Sequence, residues 1–505
     1  MSRSRTVKGK YVKITNGDHN MSSEGHIISK AVLNVGEKGT AKGVTRNNYE
    51  RLGSNVNEDF EITFSLEKGA TYSTLVPMGI LDFEGKYENA NFVFNYSLML
   101  SNIDSLDFKI LNEDGSTLYA VTNLPEVVIS AKRMPLLVED IFKKKPKYDL
   151  FSPKNTWDWK SVFDPYNVSS NDYTKIGSYV ILWDGFDNNE IYDSINFNNK
   201  KLKAQITARK NGKEKTKEVE FSTEQIGADW VDVKIDKKSK RIDTTLRVNL
   251  KDGGEEGLSC KTIGPNAFEP SMQEITVCDW DKIPKSEIKP NQPIKKTRTR
   301  TFEDLKQLAL EGLNYHWGRN KHHAVAKDVK IVSDSYEVYI DAKATTEKAI
   351  GAMELIYNTN GDWMRSGNPG SIKDPMTAVG NLISRQAICY NVGYIEYSNG
   401  WGYSFENSED EEFKETSAHE IGHEILKKYG GTIYSYGHKG SANSVFQYKY
   451  NDAPEIPLTG EIDLMPYFSD NALGGEHKQP NYLKRKVGAE KDVLGLIWLT
   501  KIEIK

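Results

Sequence analysis

Residues 415–431, ETSAHEIGHEILKKYGG, fit one regular conformation, an α-helix. His419 and His423 stand at i and i+4, about 40° apart around such a helix and one turn along it, so both imidazoles reach the same point beside it. Ile421, Ile425 and Leu426 supply the apolar contact for the rest of the helix, and the acids of SEDEE at 408–412 favour its positive end. Gly430–Gly431 predicts the C-terminal stop. Gly422 is costly in a helix interior and predicts close approach by a neighbouring element.

Histidine pairs at this spacing, with a glutamate directly after the first, suit metal-assisted hydrolysis. His419 and His423 would hold the ion, and Glu420 would lean over a water on it as general base. Catalytic zinc takes three protein ligands and leaves one position open. None of the three cysteines has CxxC spacing, so the ligands must come from histidine and carboxylate. His438, in the Gly- and Tyr-rich loop YSYGHKGS, is the nearest candidate for the third ligand. Glu461 and Asp463 in GEIDLMPYF, and Glu476 or His477 in GGEHK, compete with it. Asp463 could instead hold a ligating imidazole from behind. Tyr436, ahead of Tyr434, is the expected donor to a developing oxyanion.

The chain has 505 residues, too many for one ordinary core, and predicts a multidomain protein. Residues 1–135 and 146–280 carry short alternating runs such as FEITFSL, ANFVFNYSLML, YVILWDGFD and TTLRVNL, split by turn signals such as KNGK and KDGG. Two β-rich regions, sandwich or barrel in kind, are expected there. Residues 281–300 hold three prolines and seven Lys/Arg against two acids, and read as a solvated linker. From 301 to 505 the pattern predicts an α+β domain, opened by a helix with Thr301 as N-cap and Asp304 closing the box. Cys260 and Cys278 are expected as free thiols, since so few cysteines make no disulfide framework.

A net charge of −4 with both signs mixed gives no drive toward nucleic acid or an anionic membrane. No run is long and apolar enough to span a bilayer, and the N-terminus lacks the apolar core of a secretory signal, which predicts synthesis in the cytoplasm. His316, His322 and His323 are expected at a polar helix end, WMRSGNPG at 363–370 as a surface loop that could line the cleft, and Met465 as core.

The HEIGH stretch resembles zincin metallopeptidases, with His419 and His423 matching the helix histidines and Glu420 the general base. Leu426 stands where the metzincin pattern has glycine. Gly431-Thr432 with Tyr436-Gly437 is similar to the aspzincin loop, but Ile433, Tyr434 and Ser435 fill the place of its ligating aspartate. More broadly, LALEGLNYHWGRN, WMRSGNPGS, GEIDLMPYF and EKDVLGLIWL resemble HExxH toxin or effector domains of Bacteroidetes-type bacteria. The resemblance covers roughly the last two-fifths of the chain. It implies a Zn2+ peptidase acting on protein or peptide. It also implies delivery by a type VI or other contractile injection machine, with residues 1–280 docking to a spike or tube component. A peptidoglycan amide hydrolase and a non-catalytic adaptor with a vestigial metal site are the alternative expectations.

Overall fold

The computed structural model describes residues 59–69, 72–124, 174–265, 268, 270–367, 387–395, 400–446, 448–469 and 481–505. Most of the expected region 1–135 and the first part of 146–280 therefore lie outside the described residues, as do Glu476 and His477. The rest is β-rich and built from several sheets. Among the described residues no helix is long and apolar enough to cross a membrane.

Alternation dictates the first layer pair. Strands Glu61–Leu66, Phe92–Met99 and Gly177–Trp183 form an antiparallel sheet. A six-stranded antiparallel sheet is built from Thr74–Leu75, Ile502–Ile504, Lys213–Gln225, Lys200–Lys210, Ser105–Asn112 and Thr117–Leu124, in that order. The inward faces meet through aromatic rings: Phe94 lies 5.2 Å from Phe108 and 6.0 Å from Phe221, centroid to centroid. Such packing of two inner faces is a sandwich.

The second body is a seven-stranded mixed sheet. Its long strand Arg241–Glu256 pairs antiparallel with Val231–Asp236 and parallel with Asp334–Ala344 and Ile350–Asn358. Ala387–Asn391 extends the parallel part. Among the described residues the α-helices are α1 Phe302–His316, α2 Glu406–Gly430, α3 Thr432–Tyr436, α4 Tyr482–Arg485 and α5 Glu490–Trp498. α1 opens with the expected capping box, the Thr301 hydroxyl accepting from Asp304 N and the Asp304 carboxylate from Thr301 N. It crosses α2 closely at Gly312, where a Cβ would sit 2.0 Å from Lys414 O.

Three expectations need correction. The boundaries at 135/146 and 280/301 do not separate independent bodies, because strand pairing crosses them. Ser105–Asn112 pairs with Lys200–Lys210, Ile502–Ile504 with Thr223–Gln225, and Arg241–Glu256 with strands beyond 330. One apolar cluster runs from Phe60 to Ile504. The basic 281–300 stretch is mostly exposed, as expected, but it is not loose: Lys295 pairs with Glu406, and Arg300 forks onto Asp410 at 3.0 and 2.8 Å. Its cations meet the acids at the start of α2, where the helix dipole favours carboxylates. Cys260 and Cys278 form a disulfide, because they face each other across the hairpin Cys260–Ile263/Ile275–Cys278. The remaining cysteine, Cys389, is buried and outside the disulfide.

Candidate metal centre

α2 runs for 25 residues and stops at the expected glycine pair. Gly431 has φ 88°, a left-handed turn that glycine adopts at little cost, and α3 starts directly after it. This sharp reversal carries the chain back over α2 and delivers His438 to the face that bears His419 and His423. One nitrogen from each of the three rings lies within 4.8 Å of the others. Ring centroids are 5.0 Å apart for His419–His423, 4.7 Å for His423–His438 and 5.4 Å for His419–His438.

The hydrogen bonds behind the rings decide which nitrogen is offered. His419 Nδ1 donates to Leu464 O at 2.8 Å, and His438 Nδ1 donates to Tyr436 O at 3.2 Å. A carbonyl can only accept, so both Nδ1 atoms carry the proton. His423 Nδ1 lies 3.1 Å from Ser435 Oγ, whose own hydroxyl donates to His423 O at 2.7 Å. That leaves the serine oxygen to accept from the ring. All three Nε2 lone pairs are thereby free to converge on one ion, the orientation that outer hydrogen bonds impose on metal-ligating histidines. Burial and then the adjacent rings hold His423 well below the usual histidine pKa, and burial and then His419 do the same for His438. Neutral imidazole is the ligating form.

Close packing fixes the floor. A Cβ on Gly422 would lie 2.8 Å from Met465 Sδ and 2.9 Å from Trp317 Cζ2, which is why this helix position is glycine. Met465 is fully buried under α2, one residue after the Leu464 carbonyl that holds His419. Glu420, next to His419, has its carboxyl pKa raised by burial, against the pull of His419 and Arg365.

Of the expected third ligands that lie among the described residues, His438 is the one the structure brings to the pair. Glu461 accepts from Arg319 at 2.7 Å. Asp463 pairs with Lys439 and accepts from Met465 N at 3.2 Å, so it faces no imidazole. Tyr434 spends its hydroxyl on Asp492 Oδ1 at 3.0 Å, away from the rings. Tyr436 is buried with its ring stacked on His423 at 5.7 Å, and its carbonyl receives His438. His316 and His323, expected at a polar helix end, are instead buried: His316 donates to Lys486 O, and His323 Nδ1 accepts from Val325 N and Ala326 N.

Two residues not singled out from the sequence sit beside the triad. The Tyr467 ring stacks on His438 at 3.8 Å, and its hydroxyl accepts from Arg365 Nη2 at 2.7 Å. Arg365 belongs to the expected 363–370 loop, of which 368–370 lie outside the described residues, and acts electrostatically on Glu420 and His438. Trp363, Met364 and Arg365 also line a surface cavity of about 680 Å³, together with Glu256, Asn358 and Asp362. The one available signal was position, since Tyr467 lies two residues after Met465.

No family model matches the chain, and no curated protein matches it. Among solved structures, the apo structure of Bacteroides uniformis beta-glucuronidase 3 aligns over 72% of this chain and 32% of that one, at 7% identity and TM-score 0.15. Parabacteroides merdae beta-glucuronidase with glycerol in its active site aligns over 73% and 33%, at 8% identity and TM-score 0.15. The chain spans about a third of the length of these enzymes, and a likeness at that score carries no argument about fold or activity.

Proposed function

We propose that this chain is a zinc-dependent peptidase whose catalytic residue is Glu420 and whose ligands are His419, His423 and His438. The supporting observation is the convergence of three imidazoles whose Nδ1 atoms all have oxygen acceptors, with a glutamate beside the first. A set of three neutral histidines fits catalytic zinc, which keeps a fourth position open. In this reading, 301–505 supplies a zincin-like site: α2 is the ligand helix, α1 backs it, and the Met465 turn forms the floor.

When bound, zinc would supply the positive charge that acidifies a water and polarises the substrate carbonyl. Glu420 takes the proton from the attacking water and passes it to the leaving amine. Burial raises its carboxyl pKa, while a nearby cation opposes that shift. Tyr467 stays protonated, because burial raises its phenol pKa, and its hydroxyl donates toward the charge that develops on the carbonyl oxygen. Arg365 orients that hydroxyl from the loop. Delivery by a contractile machine, with a docking role for residues 1–280, rests on the sequence resemblance.

The test is metal content and turnover together. Purified protein should carry one zinc per chain and cleave either a denatured protein mixture or purified sacculi. Glu420→Gln should keep the zinc and lose hydrolysis. A Glu420→Gln protein with full activity would remove the general-base assignment. Wild-type protein without metal affinity would remove the whole reading.

A further inference from the structure

We infer that Lys439, Asp463, Asp492 and Tyr434 form a positioning clamp that locks the supports of all three metal-binding imidazoles into one register, through a run of contacts Tyr434–Asp492–Lys439–Asp463 anchored at Asp492. The inference rests on the metal-centre reading above. Each of the other clamp residues is the immediate chain neighbour of a ligand or its support. Tyr434 precedes Ser435, the acceptor for His423. Asp463 precedes Leu464, the acceptor for His419. Lys439 follows His438 itself.

Their side chains then meet. Lys439 Nζ donates to Asp492 Oδ2 at 2.6 Å and also to Asp463 Oδ2. Asp492 Oδ1 accepts from the Tyr434 hydroxyl at 3.0 Å. Asp492 comes from α5, and its side chain is 0% exposed, while that of Lys439 is 14% exposed. A carboxylate removed from water in this way is held only while both its oxygens are paired. Moving Tyr434 or Lys439 would therefore leave an oxygen of the buried Asp492 unpaired, and moving Asp463 would take one of the two carboxylates from Lys439.

The backbone shows what the clamp opposes. His438, Lys439 and Gly440 have φ of 46°, 59° and 89°. Two consecutive non-glycine residues in the left-handed region are strained, and such a segment persists only where its surroundings fix it. Lys439 is the side chain that ties this segment to both Asp463 and Asp492. Releasing it lets His438 swing from the point where the other two rings converge, although no ligand has been altered.

The experiment uses the full chain stripped of metal with a chelator and titrated with Co2+ and Zn2+. Visible Co2+ absorption reports ligand geometry, and chelator competition reports Zn2+ affinity. Lys439→Met should bind Zn2+ about 10- to 100-fold more weakly, the usual cost of losing an outer partner, with shifted Co2+ bands. Should that variant fail to fold, Asp463→Asn alters a partly exposed carboxylate, keeps the Lys439–Asp492 pair, and should show the same loss in smaller measure. Wild-type affinity and spectrum in the folded variant would overturn the clamp while leaving the metal centre intact. A wild-type protein that binds neither ion would instead overturn the metal centre, and the clamp with it.

Discussion

Gly422→Ala tests whether the floor of the site is as tightly filled as its contacts indicate. In an open helix interior, alanine would stabilise by about 1 kcal/mol over glycine. Here the added methyl would lie 2.8 Å from Met465 Sδ and 2.9 Å from Trp317 Cζ2. Both neighbours are fully buried, and Trp317 is pinned by its Nε1 donating to Ala418 O at 3.1 Å. Overfilling such a core costs about 1–3 kcal/mol. The two effects leave a net loss of roughly 1 kcal/mol, with a range of about 0–2. The measurement is the urea midpoint of the metal-free chain followed by tryptophan fluorescence. In a Met465→Ala background the sulfur contact is gone, so the penalty for Gly422→Ala should shrink, with a coupling of about 0.5 kcal/mol or more. Displacing Met465 also displaces the Leu464 carbonyl that holds His419, so zinc affinity should fall as well. A Gly422→Ala chain with a raised midpoint and unchanged zinc affinity would refute the close-packing argument.

Other perturbations separate the roles of neighbouring groups. His438→Ala should abolish stoichiometric zinc in an elemental assay, and retention of a full equivalent would pass the third position to another residue. Tyr467→Phe should lower kcat about 10²-fold with zinc content unchanged, the scale of losing one oxyanion donor, and an unaltered kcat would leave Tyr467 as packing. Burial holds the His323 pKa at about 4, below the ordinary histidine value, and its Nδ1 accepts two backbone N–H groups that protonation would break. The unfolded chain therefore takes up this proton first, so the contribution is present above about pH 6.5 and is lost as pH falls toward about 4. His323→Asn keeps an acceptor and should flatten that part of the urea-midpoint profile, whereas an unchanged slope would assign it to other groups.

What could be foreseen was local. The α2 boundary at Gly430–Gly431, the Thr301–Asp304 box and the tight approach at Gly422 are each written within a few residues, where spacing and turn chemistry act directly. His438 followed from nearness along the chain. Tyr467 did not, because its place beside His438 depends on a turn more than twenty residues further on. The domain partition failed for the same physical reason. Strand pairing between Thr223 and Ile504 leaves no trace in the composition of either segment. The cysteine pair was missed because a count of cysteines says nothing of two that lie opposite in a hairpin.

The strand Ile502–Ile504 lies between Thr74–Leu75 and Lys213–Gln225. A chain made from its N-terminus leaves that slot in the sandwich empty while all the residues between 225 and 502 are synthesised. Contacts this distant in sequence form slowly, because the intervening loop must close before pairing repays the cost. α5, which carries Asp492, lies directly before the same strand. During synthesis the three histidines are therefore made before the helix that carries Asp492, and the proposed metal centre would be steadied only once α5 has packed.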